Sequence, residues 1–176
     1  MRRILTGVIL LGLLLGLSVC QAMSPEQYIE SIAPYAVRVR EHGLFPSVAI
    51  AQSCRETGFG KHLDDTDIRG NSIRQFNNVL GKKWRSGQYF EKLTPEGSGA
   101  GRYMITGKFQ AYMALDDCFD DYAHNINRNP AYKYKDTSSA YAFIHSIAHR
   151  YATDNSQAYA NGILQIIQKY NLTRFD

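Results

Sequence analysis

Apolar residues recur at helical spacing along most of this chain. Ser24-Pro25-Glu26-Gln27 has the form of a capping box with proline at the first helical position. It opens a helix that Pro34 is expected to kink or break and Gly43 to end. A second helix, about Ser47–Thr57, carries Val48, Ile50, Ala51 and Cys54 on its apolar side. The stretch from 61 to 83 is a polar run, "HLDDTDIRGNSIRQFNN" and its continuation, and reads as loop with short turns. "WRSGQYF" and "RYMIT" then flank the glycine-rich "TPEGSGAG", which predicts a small antiparallel hairpin with a loose tip. Three helices follow, at about Leu115–Asn127, Ser139–Arg150 and Asn155–Tyr170. Their periodicity is plain in Phe119, Tyr122 and Ile126, and in Ile163, Ile166, Ile167 and Tyr170. No repeat or long linker divides the chain. The pattern predicts one α+β domain over residues 23–176, predominantly helical with one small β-hairpin lobe.

Residues 1–22 stand apart. Arg2 and Arg3 precede the apolar run "ILTGVILLGLLLGLSV" and then Cys20-Gln21-Ala22, the order of a signal peptide. An uncleaved anchor and lipidation at Cys20 are the alternatives, the latter opposed by bulky Val19. Cleavage implies export to the periplasm, cell envelope or exterior, with no stable membrane insertion afterwards. Loss of Arg2 and Arg3 lowers the 20 basic residues to 18, against 16 acidic ones, for a net charge of +2. That balance argues against a nucleic-acid partner. Cys54 and Cys118 are then the remaining thiols, and either a disulfide or two buried free thiols fits an exported helical domain.

Several chemistries are set aside. His145 and His149 in "HSIAH" imitate a zinc-protease helix, but Ser146 stands where its glutamate belongs and no third ligand is marked. "HLDDTD" lacks the glycine and terminal glutamate of a calcium loop. No metal or cofactor is expected. Glu56 is different. It falls in the last turn of its helix, where the dipole presents its negative end, on a stripe with Ala49, Gln52 and Ser53 that suits the floor of a cleft. Dipole and desolvation should both raise its pKa, as general acid catalysis of glycoside cleavage requires. A solvated, fraying glutamate is the plain alternative.

"LFPSVAIAQSCRETGFG" resembles the signature of the glucosaminidases of bacterial autolysins and flagellar peptidoglycan hydrolases, glycoside hydrolase family 73. The matching positions are Pro46, Ser47, Ala51, Gln52, Glu56, Thr57, Gly58, Phe59 and Gly60. Further landmarks follow in order: Asn77-Asn78 with Gly81, Thr94-Pro95-Glu96, Phe109 to Tyr112, Tyr151 to Asp154, and the closing "YANGILQIIQKYNL" that begins at Tyr159. Arg55, Leu80 and Gln110 depart from the family pattern, and Arg55 beside Glu56 would lower the acid's pKa.

The resemblance implies a lysozyme-like fold with a cleft between helical body and β-lobe, a monomer acting on peptidoglycan glycan strands, and hydrolysis of the β-1,4 bond after N-acetylglucosamine. It makes Glu56 the general acid and Glu96 the second carboxylate, with Glu91 a rival by composition. It associates Tyr151 with the active site. It also marks Gln52, Asn77, Asn78, Tyr112 and Tyr159 as candidate substrate contacts, with turn formation the other reading of the two asparagines. Trp84, the single tryptophan, either stacks on a sugar or caps the lobe. Cleavage on the muramic acid side and a non-catalytic glycan-binding role are the alternatives.

Overall fold

In a computed structural model of the chain, the described residues are 23–97, 101–152 and 155–176, so the leader expected at 1–22 lies outside them, as do Thr153 and Asp154. Ser24 caps helix α1 (Pro25–Ala36) as its sequence predicts. Its hydroxyl accepts from Gln27 N at 3.2 Å, and Gln27 Oε1 accepts from Ser24 N at 2.8 Å. Of the kink or break expected at Pro34, the break does not occur there, and the helix continues to Ala36. Burial of Tyr28, Ile29, Ile32, Ala33 and Ala36 carries α1 past it, and the backbone then tightens into 3-10 turns over Val37–His42, closed by Gly43 at φ +72°. A proline inside a helix removes one ladder hydrogen bond; the packed face outweighs that loss here.

Helix α2 (Pro46–Thr57) runs through the middle of the molecule. Small and apolar residues surround it on every side, so all of it is buried except Arg55 and Glu56. It packs on α1, on α4 (Ala140–Ile147) and on α5 (Ser156–Lys169), while α3 (Leu115–Arg128) packs on α1. The three later helices begin and end close to their predicted limits, the Ala148–Arg150 turn being 3-10. Phe45 gives α2 no side-chain cap; the cap comes from the far end of the chain. Asp176 Oδ1 accepts from Ser47 N at 2.8 Å, and Asp176 Oδ2 accepts from Ser47 Oγ at 2.7 Å. A carboxylate there satisfies an orphan donor and meets the positive end of the helix dipole.

The polar run contains the expected turns, 3-10 at Lys61–Leu63 and at Ile73–Phe76. The hairpin pairs β1 (Tyr89–Glu96) with β2 (Tyr103–Gln110), from Tyr89 opposite Gln110 to Glu96 opposite Tyr103. Thr94-Pro95-Glu96, expected in the loose tip, is therefore strand. The hydrogen-bond directions explain why Pro95 is tolerated. On the outer side of β2, Trp84 N donates to Lys108 O and Gln110 N donates to Lys82 O; on the outer side of β1, Ile68 N donates to Glu91 O. Odd-numbered residues of β1 thus turn their main-chain groups away from β2, and a proline at 95 costs the ladder nothing. Cys54 and Cys118 are both buried free thiols, with burial pushing each pKa up to about 12, so the disulfide alternative is not realised.

Replacing Asp176 by Ala should destabilise the fold by about 1–2 kcal/mol, the usual worth of a helix cap. Urea titration of Asp176→Ala, Ser47→Ala and the double variant checks it. The double should lose clearly less than the two singles together, because both remove one interaction.

Candidate active site

Glu56 sits where α2 is forced to stop. Phe59 N donates to Cys54 O at 2.8 Å and Gly58 N to Arg55 O at 3.4 Å, a Schellman pair. Three successive residues are left-handed: Gly58 at φ +57°, Phe59 at +56° and Gly60 at +84°. A Cβ at Gly60 would stand 2.7 Å from the Tyr28 ring, so this position needs glycine on both conformational and steric grounds. The chain reverses sharply and leaves the Glu56 side chain projecting from an otherwise buried helix. A second loop closes on it from the lobe side. A Cβ at Gly81, itself at φ +61°, would lie 3.5 Å from Glu56 Oε2.

A chain of hydrogen bonds runs from the core to this acid. Tyr122 Oη donates to Gln52 Oε1 at 2.7 Å, Gln52 Nε2 donates to Tyr159 Oη at 3.2 Å, and Tyr159 Oη donates to Glu56 Oε1 at 3.3 Å. Tyr151 joins by stacking on Tyr159, with ring centroids 5.4 Å apart and planes 8° off parallel. Arg55, next to the acid, lays its guanidinium over the Tyr159 ring at 4.8 Å. It fits because residue 162 is glycine: a Cβ there would come 2.7 Å from Arg55 Nη1. Nothing in the hydrophobic pattern of α5 announced this. The available signal was a glycine inside a helix, which costs roughly 0.5–1 kcal/mol and so asks for a reason.

The Glu56 carboxyl is held above its ordinary value near 4.5. Desolvation by the surrounding protein is the main cause, and the Tyr159 hydrogen bond and the Arg55 charge pull the other way. Water still reaches Glu56, which is open on its cleft side; crowding by α2, α5 and the 78–81 loop raises it. Arg55 therefore moderates the shift, as the sequence anticipated, without reversing it.

Glu56 opens onto a cleft of about 1110 Å³ between the body and the hairpin. One wall is the 62–68 turn, with His62, Asp64, Asp65 and Ile68; the other is the hairpin, with Lys92, Leu93, Thr94, Pro95 and Arg102. His62, Asp64 and Asp65 were weighed in sequence only as part of an incomplete calcium loop and not as cleft residues, because a polar run gives no sign of which residues face inward.

The remaining candidates divide. Glu96 ends β1 and pairs with Lys83 at 3.1 Å. Alternation along the strand puts it on the same face as Lys92 and Thr94, and puts Glu91, five residues earlier, on the opposite face. Asn77 donates its amide to Tyr112 O and Met113 O at 3.2 and 3.1 Å, while Asn78 bridges Lys82 and Gln110 with three bonds of 2.8–2.9 Å. Asn77 thus ties the entry of the lobe to its exit, and Asn78 both closes the turn to Lys82 and reaches β2. Tyr112 donates to Asp121 Oδ2 at 2.7 Å and ties the lobe to α3. Trp84, read as either a sugar-stacking or a lobe-capping residue, packs with Tyr89 and Lys108 on the face of the lobe that also carries Glu91. His145 packs on Tyr141 at 4.4 Å with Nε2 buried and unpartnered, and among the described residues no three His, Cys, Asp or Glu side chains group as a metal site.

A helical body, a hairpin lobe and an acid at the cleft between them are the lysozyme-like arrangement. The chain belongs to the glucosaminidase family, described as mannosyl-glycoprotein endo-beta-N-acetylglucosaminidase, whose profile matches residues 33–172. It is 34% identical, over 83% of its length, to the peptidoglycan hydrolase FlgJ of Vibrio parahaemolyticus. It is 31% identical over 87% to a probable N-acetylmuramidase of Lactococcus lactis. The catalytic domain of the autolysin Auto from Listeria monocytogenes superposes with a TM-score of 0.69 at 26% identity, covering 90% of this chain and 92% of that domain. The chain spans 47% of the Vibrio protein and 35% of the Lactococcus protein, half the length of these relatives or less.

Two results follow from the geometry of Glu56. Gly162→Ala should fold at least as stably as the parent, gaining helix propensity, yet displace the Arg55 guanidinium and move the Glu56 pKa upward. Carbon-detected titration of Glu56 reads that shift, and Arg55→Met should reproduce it. Secondly, the folded state holds the Glu56 proton more tightly than the unfolded chain does. The carboxyl therefore costs no stability below about pH 4.5 and its full amount above its raised value. Thermal melts of Glu56→Gln should exceed those of the parent at neutral pH and converge with them in acid.

Proposed function

We propose that this protein is an exported peptidoglycan hydrolase that cleaves the β-1,4 bond after N-acetylglucosamine, with Glu56 as its general acid. The observation that carries the reading is one carboxyl, its pKa raised by desolvation, projecting from a buried helix into an open cleft. Protonation of the departing glycosidic oxygen needs a proton available near neutral pH on a group the substrate can reach. Glu56 faces the cleft and its pKa is shifted in the direction that reaction needs; Tyr159 donates to its Oε1, and Gly81, lacking a side chain, leaves room for its Oε2.

The second carboxylate of the reaction is assigned to Glu96. It shares its strand face with Lys92 and Thr94, which line the cleft, and pairs with Lys83 at 3.1 Å; in this role it acts as a base or as a stabiliser of developing oxocarbenium charge. Tyr151 acts through its stack on Tyr159, fixing the hydroxyl that reaches the acid. Gln52 orders the pair from below. Asn77, Asn78 and Tyr112 build the lobe's attachment, and so serve the cleft by holding its shape. Family membership supports the glucosaminidase bond; the name of the Lactococcus relative favours the muramic acid side. The apolar leader at 1–22 supports export to the cell envelope.

Mass spectrometry of the reducing ends released from purified peptidoglycan tests activity and bond together, with N-acetylglucosamine the expected reducing sugar. Glu56→Gln should fold and lose at least about 100-fold in kcat, the lower end of a general acid's contribution. Glu96→Gln should be clearly impaired while Glu91→Gln stays near the parent. A dead Glu91 variant would reassign the second carboxylate.

A further inference from the structure

The cleft beyond Glu56 has two properties that an uncharged sugar polymer does not need. The first is charge of both signs on facing walls, Asp64 and Asp65 on the 62–68 turn and Lys92 and Arg102 on the hairpin. The second is an open strand edge. Odd residues of β1 direct their main-chain groups away from β2, and Glu91 O is taken by Ile68 N at 2.8 Å. Immediately beyond that bond the wall of the cleft is formed by Leu93, Thr94 and Pro95. By the same alternation Leu93 turns its N–H and C=O away from β2, on the edge where Ile68 meets Glu91, and both Leu93 (61%) and Ile68 (51%) are exposed residues of the cleft wall. A donor and an acceptor on one residue of an edge strand, beside small apolar surface, are what an extended peptide requires for strand addition.

We propose that the free edge of β1 at Leu93 binds the peptide stem of the peptidoglycan while the glycan strand lies against Glu56. The inference rests on the hydrolase reading and adds a subsite to it. A stem is a short peptide of alternating handedness carrying carboxylates and an amine. Its main chain pairs with Leu93, its alanine methyls meet Leu93 and Ile68, its carboxylate faces Arg102 and Lys92, and its amine faces Asp65. Asp64 is already engaged by Arg74 at 2.7 Å, whereas the contact Asp65 makes with His62 is looser, at 3.6 Å. The stem leaves the glycan at the muramic acid, so glycan and stem occupy one continuous cleft, and the enzyme reads both parts of its polymer.

The test compares soluble glycan chains bearing stems with the same chains stripped of stems by an amidase. The parent should show kcat/KM at least about tenfold higher on the stem-bearing chains. Leu93→Pro deletes only the outward N–H, at a register where the strand already accepts Pro95, and should bring that ratio close to one. Equal cleavage of both substrates by the parent would overturn this inference and leave the hydrolase reading standing. A ratio unchanged in a Leu93→Pro variant that keeps its circular dichroism would overturn it as well. Cleavage of neither substrate would overturn the hydrolase reading itself, and this subsite with it. A measurement independent of any variant uses the free stem tetrapeptide and nitrogen-15-labelled protein. The Leu93 amide should shift and its hydrogen exchange slow on titration, and a Leu93 amide that ignores the peptide would refute the assignment.

Discussion

Gln52 is the hinge of this structure's chemistry. Its amide is buried in the middle of α2, where leaving its donor or acceptor unmade would cost about 1–3 kcal/mol. It escapes that cost by accepting from Tyr122 on α3 and donating to Tyr159 on α5. One side chain thus fixes the relative positions of three helices. Its second bond orients the hydroxyl that meets Glu56. The core polar network and the candidate catalytic group are therefore one object. A shift in helix packing large enough to strain Gln52 would be felt at the acid.

The electrostatics of Glu56 depend on a balance that the fold holds narrowly. Desolvation raises its pKa, and a hydrogen bond and a cation lower it. Each opposing group is itself held in place. Tyr159 is fixed by Gln52 and by the Tyr151 stack, and Arg55 by the slot over Gly162. Arg55 stands directly beside the acid, and its accommodation shows how a charge can be admitted there. The guanidinium lies on an aromatic face, where cation–π attraction of roughly 0.5–1 kcal/mol gives it a fixed seat.

The lobe is a two-stranded sheet, too small to be stable alone. Its attachment comes from polar groups at its base. Asn78 links the segment entering the lobe to β2, and Asp121 on α3 gathers Tyr112, Arg85 and Lys82. On the inner face, Phe90 lies between Phe76 and Phe109, with ring centroids 4.5 and 5.6 Å away. These contacts set the distance across the cleft. Asn77, Asn78 and Tyr112 thus serve the cleft by holding the lobe against the body.

The helices were legible because a 3.6-residue apolar rhythm is a local property, and so were their ends where Ser24, Gly43 and Gly58 supplied caps. Glu56 was legible for the same reason, as a carboxylate just before the glycine that stops a buried helix. Pro34 and Pro95 were misjudged by local rules. Packing carried α1 through the first, and the register of β1 made the second harmless, both long-range facts. Register also separated Glu96 from Glu91, which composition could not do. The cap from Asp176, the Gly162 slot, the inward face of the 62–68 turn and the outer position of Trp84 were decided by tertiary structure alone. Each depends on two segments far apart in the chain meeting in space, and no periodicity within either segment records that meeting.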